Sequence, residues 1–206
     1  MADEEVLFYD PKAQKEVYRR HLPHWSQPGR IYFVTFRLAD SIPAARLAEL
    51  RRERQAWCRA HPEPYTPAQW QEYHKLFSAR IEQWLDQCIG SCLLADSSCA
   101  EIVAEAMEAS DGQRYHLDQW VIMPNHVHVL VATKEPFVLK KVLQAWKSFT
   151  SHAINRYLSR QGQLWQRESF DHLVRGPAHL DRFRRYIRDN PAKAGRFRHL
   201  CRLRPL

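Results

Sequence analysis

Glycine is scarce: six residues in 206. An all-β fold of many short strands needs far more tight turns than that supplies, so this class is disfavoured. The five cysteines, Cys58, Cys88, Cys92, Cys99 and Cys201, are odd in number and form no Cys-x-x-Cys pair. That argues against both a disulfide scaffold and a structural zinc site. No run approaches the roughly 18 apolar residues of a membrane span. The stretch Met1–Asp10 is acidic and has no apolar segment of the signal-peptide kind. Internal repeats and low-complexity tracts are also missing. These absences lead to the expectation of a cytoplasmic protein with no membrane partner.

What is present points to a packed domain with a polyanionic partner. Hydrophobic residues make up 45% of the chain and include seven tryptophans, enough to build a core. The net charge is +8, and it is unevenly spread. From 138 to 206 there are 16 Lys+Arg against 4 Asp+Glu, a net of +12; the remainder, 1–137, has 15 against 19, a net of −4. A solvated helix face accounts for part of such an excess. A surface that tracks phosphates accounts for it better, because like charges crowded together repel unless an anion neutralises them.

The pattern along the chain predicts a mixed α and β fold. Residues 1–30, with Pro11, Pro23, Pro28 and Gly29, read as irregular. Ile31–Phe36 is β-branched and aromatic, a buried strand. Helices are predicted over 43–57, over 66–86 behind a Thr66-Pro67 start, and over 97–109. Tyr115–Met123 and His126–Thr133 read as paired strands around Pro124-Asn125. Val138–Tyr157 carries Leu139, Val142, Leu143, Trp146, Phe149 and Ile154 at helical spacing. A short strand over 170–174 and a helix over 177–189 follow, the latter stopped by Asn190-Pro191. This order fits an α+β fold, an antiparallel sheet of the split βαβ kind with helices on one face. The helices between about 43 and 110 exceed one crossover and read as an insertion. The whole of 1–206 is taken as one domain, with a core over about 20–198 and a basic tail at 196–206.

Three constellations carry chemistry. In Met123-Pro124-Asn125-His126-Val127-His128-Val129, strand alternation puts His126 and His128 on one face, where two imidazoles can share a cation, and turns Val127 and Val129 to the other. Two ordinary strand histidines are the plain alternative. In Tyr186-Ile187-Arg188-Asp189-Asn190-Pro191, the tyrosine and asparagine sit at i and i+4 on one helix face. A phenol can be a nucleophile once its charge is stabilised, and an amide oxygen can ligate a hard cation. A packed tyrosine and a capping asparagine are the alternative. In Leu164–His172, Trp165 either stacks on a base or belongs to the core, and Arg167 can meet a phosphate.

The strings MPNHVHVLV, WKSFTSHAINRYLSRQGQLWQRESFDHLVR and YIRDNPAKAG, in that order, resemble the REP-associated tyrosine transposases of the wider HUH endonuclease group. The resemblance spans roughly 20–198. It implies a ferredoxin-like sheet with the His-x-His strand at its centre, and a divalent cation, Mg²⁺ or Mn²⁺, on His126, His128 and Asn190. It makes Tyr186 the nucleophile, Tyr157 being the rival without an i+4 asparagine. The implied partner is single-stranded or hairpin DNA of REP-like palindromes, contacted by Lys140, Lys147, Arg156, Trp165, Arg167, Arg185, Arg188 and Lys193. The chain would act as a nucleoid-associated monomer or homodimer. The competing expectation is a non-catalytic DNA- or RNA-hairpin-binding protein with structural histidines.

Overall fold

The computed structural model describes residues 8–10, 12, 16–19, 23–27 and 29–205. Its centre is a five-stranded antiparallel sheet. The strands are β3 (Ile31–Arg37), β4 (Tyr115–Met123), β5 (His126–Thr133), β6 (Phe170–Leu173) and β7 (Arg202–Leu203), in the order β6-β3-β5-β4-β7. A separate hairpin, β1 (Glu16–Arg19) with β2 (Pro23–Ser26), precedes it in a region expected to be irregular. The first four sheet strands and their two crossovers make the ferredoxin-like pattern. β3 reaches β4 through a chain of helices, and β5 reaches β6 through one long helix. Each crossover spans a strand inserted between its two ends, the split βαβ arrangement. β5 is central, as the resemblance implies.

Alternation along β3 and β5 sorts their side chains onto two faces. Tyr32, Val34 and Phe36 join Val127, Val129 and Val131 under α4 (Ser97–Glu108) and α5 (Leu139–Tyr157). This layer contains Trp146, Trp120 and Met107 and is the larger core. The expectation of helices on one face is met by α4 and α5. The opposite face is covered as well: Ile31, Phe33 and Leu130 pack with Leu180 and Ile187 of α6 (Pro177–Asp189). The histidines belong to that second face, so α6 is the element that brings a tyrosine to them.

Between β3 and α4 lie α1 (Ala44–Ala60), α2 (Pro67–Tyr73), a π-helical turn over His74–Ser78 and α3 (Ala79–Asp86). Thr66 opens α2 with a reciprocal cap, its hydroxyl accepting from Gln69 N–H and the Gln69 side chain accepting from Thr66 N–H. These helices share a small aromatic core of Leu50, Trp57, Tyr73 and Phe77. α4, which the sequence groups with them, packs instead against α5 in the main core. The segment that leaves α3 is tied to the sheet. Gly90, at φ +95°, lies so close to Asp40 that a Cβ would stand 2.6 Å from its carbonyl oxygen, and Ser91 N–H donates to the Asp40 carboxylate at 2.8 Å. A side chain at this position would have to displace backbone.

A candidate active site on the second face of the sheet

His126 and His128 are fully buried and face each other, Nε2 to Nε2 at 3.0 Å. Their outer nitrogens are each held. Asn125 donates its amide N–H groups to the Leu85 and Ile89 carbonyls at 3.3 and 3.2 Å, so its oxygen is left to accept. That oxygen lies 2.7 Å from His126 Nδ1. His126 must therefore carry its proton on Nδ1 and present a lone pair from Nε2. With that lone pair in place, His128 donates from its own Nε2, and its Nδ1 accepts from the Thr35 hydroxyl at 2.7 Å. A cation between the rings would require the other His128 tautomer, which the Thr35 hydroxyl permits by rotating from donor to acceptor. Thr35 and Asn125 are the residues that set the pair.

Tyr186 meets this pair from α6. Its ring stands edge-on to His128, centroids 5.1 Å apart, and edge-on to Phe33 at 5.7 Å. The histidines and the tyrosine belong to the same chain. The phenol oxygen and both polar atoms of the Asn190 amide are buried without a well-formed hydrogen bond among the described residues, while the Asn190 amide and the Glu82 carboxyl both lie near enough to the phenol to act on it. Asn190 is wholly buried, a costly state for an amide unless something occupies the gap. Among the described residues, no three His, Cys, Asp or Glu side chains are placed to hold a metal. A cation on the imidazole pair would then draw its third protein ligand from another residue type. The buried Asn190 amide and the facing imidazole nitrogens fit that requirement, and their mix of nitrogen and oxygen donors suits Mn²⁺ or Mg²⁺.

Charge around the site comes from residues outside the motifs. Lys193 holds its ammonium 4.3 Å over the Tyr186 ring and 4.0 Å from the Asp86 carboxylate. Glu82 and Asp86, one turn apart on α3, line the same gap, with Glu82 beside the phenol. Burial, with the Glu82 and Asp86 charges behind it, pushes the Tyr186 phenol well above its usual range. Burial also raises both carboxyl groups, against the pull of Lys193. Burial and Lys193 push His126 down to about 3, and burial, His126 and Lys193 drive His128 down too. The imidazoles are thus neutral and the phenol protonated at physiological pH. The i, i+4 spacing of Glu82 and Asp86 is visible in the sequence, but nothing local says that α3 folds back onto α6.

The residues expected to contact nucleic acid divide. Arg156, Arg167, Arg185 and Arg188 are exposed, as is Lys140. Lys147 instead straps α5 to the following loop, donating to the Gln166 carbonyl at 3.0 Å. Trp165 is a correction: it is 4% exposed, sits in the main core and donates its indole N–H to Thr150 at 2.8 Å, leaving no face for a base. Lys193 lies at the phenol. Part of the positive charge of the last third is met internally. Arg184 forks onto Asp118 at 2.7 and 3.0 Å, Arg202 pairs with Glu101, and Arg204 reaches Asp111 at 2.8 Å. The tail adds strand β7 to the β4 edge. Tyr157 is half exposed at the end of α5, over the other face of the sheet.

Among known proteins, no curated sequence matches this chain. A solved REP-associated tyrosine transposase bound to a REP hairpin aligns over 86% of this chain and 73% of its own, at 16% identity and a TM-score of 0.48. No helix is long and apolar enough to cross a membrane among the described residues. Residues 93–190, which carry the central hairpin, both histidines, Tyr186 and Asn190, match the family described as transposase IS200 like.

Proposed function

We propose that the chain is a single-strand or hairpin DNA endonuclease and strand transferase whose nucleophile is Tyr186. The observation that carries this reading is that the Tyr186 ring meets His128 of the facing imidazole pair, while the buried Asn190 amide, without a well-formed hydrogen bond of its own, lies beside the phenol. In the proposed reaction the Tyr186 oxygen attacks the phosphorus in line. The bond to the 3′ oxygen breaks, and a 5′-phosphotyrosine link forms. Glu82, beside the phenol, is placed to receive its proton. Lys193, over the ring, favours the phenolate and the incoming phosphate. His126, His128 and Asn190 would hold a divalent cation, Mg²⁺ or Mn²⁺, which when bound stabilises charge on the scissile phosphate. The link conserves phosphodiester energy, so a DNA 3′-OH can reverse it and join a new strand.

The resemblance of the three motifs supports REP-like palindromes as substrate. The exposed arginines of α6 and of the preceding loop suit phosphates that position the strand without specifying sequence. The competing reading, a hairpin-binding protein with structural histidines, draws on the direct hydrogen bond between the imidazoles. A labelled DNA hairpin on a denaturing gel separates the two. The wild-type chain with Mn²⁺ is expected to cut and to leave a covalent adduct that survives denaturation. Tyr186→Phe is expected to lose cleavage by at least a thousandfold and to keep hairpin affinity within about threefold. Cleavage that persists in Tyr186→Phe, or in chelator, would end the tyrosine and metal assignments respectively.

A further inference from the structure

Asp86 stands where the helix that carries it gains nothing from its charge. It is the last residue of α3, and no basic residue shares that turn. A carboxylate there faces the negative end of the helix macrodipole, and burial disfavours its charge further. Its one ion-pair partner among the described residues is Lys193, at 4.0 Å, in the stretch that follows α6. That separation is too long for a direct hydrogen bond, and a partly exposed pair of this kind adds little to stability. The contact is better explained by where it leaves the ammonium.

Lys193 ends over the candidate active site. Its Nζ lies 4.3 Å from the Tyr186 ring centroid, and its charge acts on Glu82, Asp86 and both imidazoles. A lysine stem has many rotamers to lose when its end is held in one place. This side chain is 40% exposed, so solvent competes for the ammonium. Asp86, by contrast, is carried on a fixed turn. Leu85 beside it is 1% exposed, and the Leu85 carbonyl accepts from the Asn125 amide at 3.3 Å. An anchored carboxylate thus holds a flexible cation against the ring.

We propose that Asp86 is a positioning residue for the tyrosine reaction: it keeps the Lys193 ammonium over Tyr186, where the attacking oxygen and the incoming phosphate both bring negative charge. The inference rests on the proposed function for the reaction it serves. Asp86 and Lys193 form no bond and exchange no proton in it. Two effects of Asp86 oppose each other. Its own charge disfavours a phenolate, while the ammonium it holds favours one. Asp86 stands one turn further along α3 than Glu82 and acts the more weakly of the two on the phenol, whereas the ammonium lies against the ring face. Coulomb energy falls with distance, so removing Asp86 costs more through the displaced ammonium than it returns through the missing charge. Both residues lie outside the matched segment 93–190, which makes the pair a contribution of the flanking elements.

The test follows covalent adduct formation on a labelled DNA hairpin with Mn²⁺, in single turnover at saturating protein, beside hairpin affinity by fluorescence anisotropy. Asp86→Asn should slow adduct formation about tenfold and leave affinity within about twofold; Asp86→Glu should recover most of the rate. Lys193→Met should also slow the reaction, and adding Asp86→Asn to it should slow it no further, because the carboxylate then has nothing to hold. A second readout needs neither metal nor DNA: NMR of the full chain with isotope-labelled dimethyl groups on its lysines, which keep their charge. The Lys193 signal, identified by its loss in Lys193→Met, should stand upfield of the others through the Tyr186 ring current and rejoin them in Asp86→Asn. Adduct formation that is unchanged or faster in Asp86→Asn, additive losses in the double variant, or a Lys193 signal that Asp86→Asn does not move would each overturn the inference while leaving the tyrosine assignment intact. No adduct from the wild-type chain overturns both.

Discussion

At the scale of single residues, the orientation of the imidazole pair is set by the groups behind it. Asn125 shows why: it fixes the His126 proton by committing its own amide hydrogens to two carbonyls. Asn125→Ala would leave the Leu85 and Ile89 carbonyls and His126 Nδ1 unmatched in the interior. Chemical denaturation should report a loss of about 2 kcal/mol, and calorimetric titration a Mn²⁺ affinity lowered about 10- to 100-fold. Thr35→Val keeps the shape but cannot accept from His128, so it should weaken Mn²⁺ binding similarly with a smaller effect on stability. Equal stability losses in both, with affinity unchanged, would show the pair to be purely structural. That His126 and His128 share one face, and Tyr186 and Asn190 another, was legible from spacing because alternation and the helical repeat dictate which side chains lie together. Thr35 and Glu82 were not, since each reaches the gap through a long-range fold contact. Trp165 could not be placed for the same reason: a tryptophan among polar residues reads equally as a base-stacking ring or as core until the strand and helix that cover it are known.

At the scale of elements, periodic segments were the readable ones. The strands 115–123 and 126–133 and the helix 177–189 lie where the pattern puts them, because amphipathic repeats against a common core leave one register. The hairpin β1–β2 was missed in a stretch rich in proline. The π-helical turn was missed too, as no residue type announces one. The inserted helices hold together through a core of their own, so their stability should be separable from that of the sheet. Trp57→Ala removes the largest ring of that cluster and should cost α1–α3 about 3 kcal/mol. Hydrogen exchange should then speed up in residues 44–86 and remain slow in β3 and β5. Uniform acceleration throughout would mean that insertion and sheet unfold as one unit.

At the scale of the whole molecule, buried neutral histidines make folding acid-sensitive. His126 and His172 sit near 3 when folded against about 6.5 in an unfolded chain. Between those values the unfolded chain binds more protons, so stability is full above about pH 6.5 and declines as pH falls toward 3. A scan of thermal midpoints should drop by on the order of 5 °C between pH 7 and 5, and His172→Phe should flatten the slope; a flat wild-type profile would refute buried neutrality. The net +8 charge is less available than it looks, since Arg184, Arg202 and Arg204 are already matched by acids of the first two-thirds. Hairpin affinity should still fall steeply from about 50 to 200 mM salt, with Arg185→Gln and Arg188→Gln each lowering the logarithmic slope by about one. Finally, Asn125 anchors itself to carbonyls in the last turn of α3 and just beyond it, Leu85 and Ile89, so His126 takes its orientation from a segment outside the matched family region. A chimera that trims 44–86 to a short crossover would inherit a mis-set imidazole unless its new loop brought two carbonyl oxygens back to the same spot, which ties the length of this crossover to the chemistry beneath it.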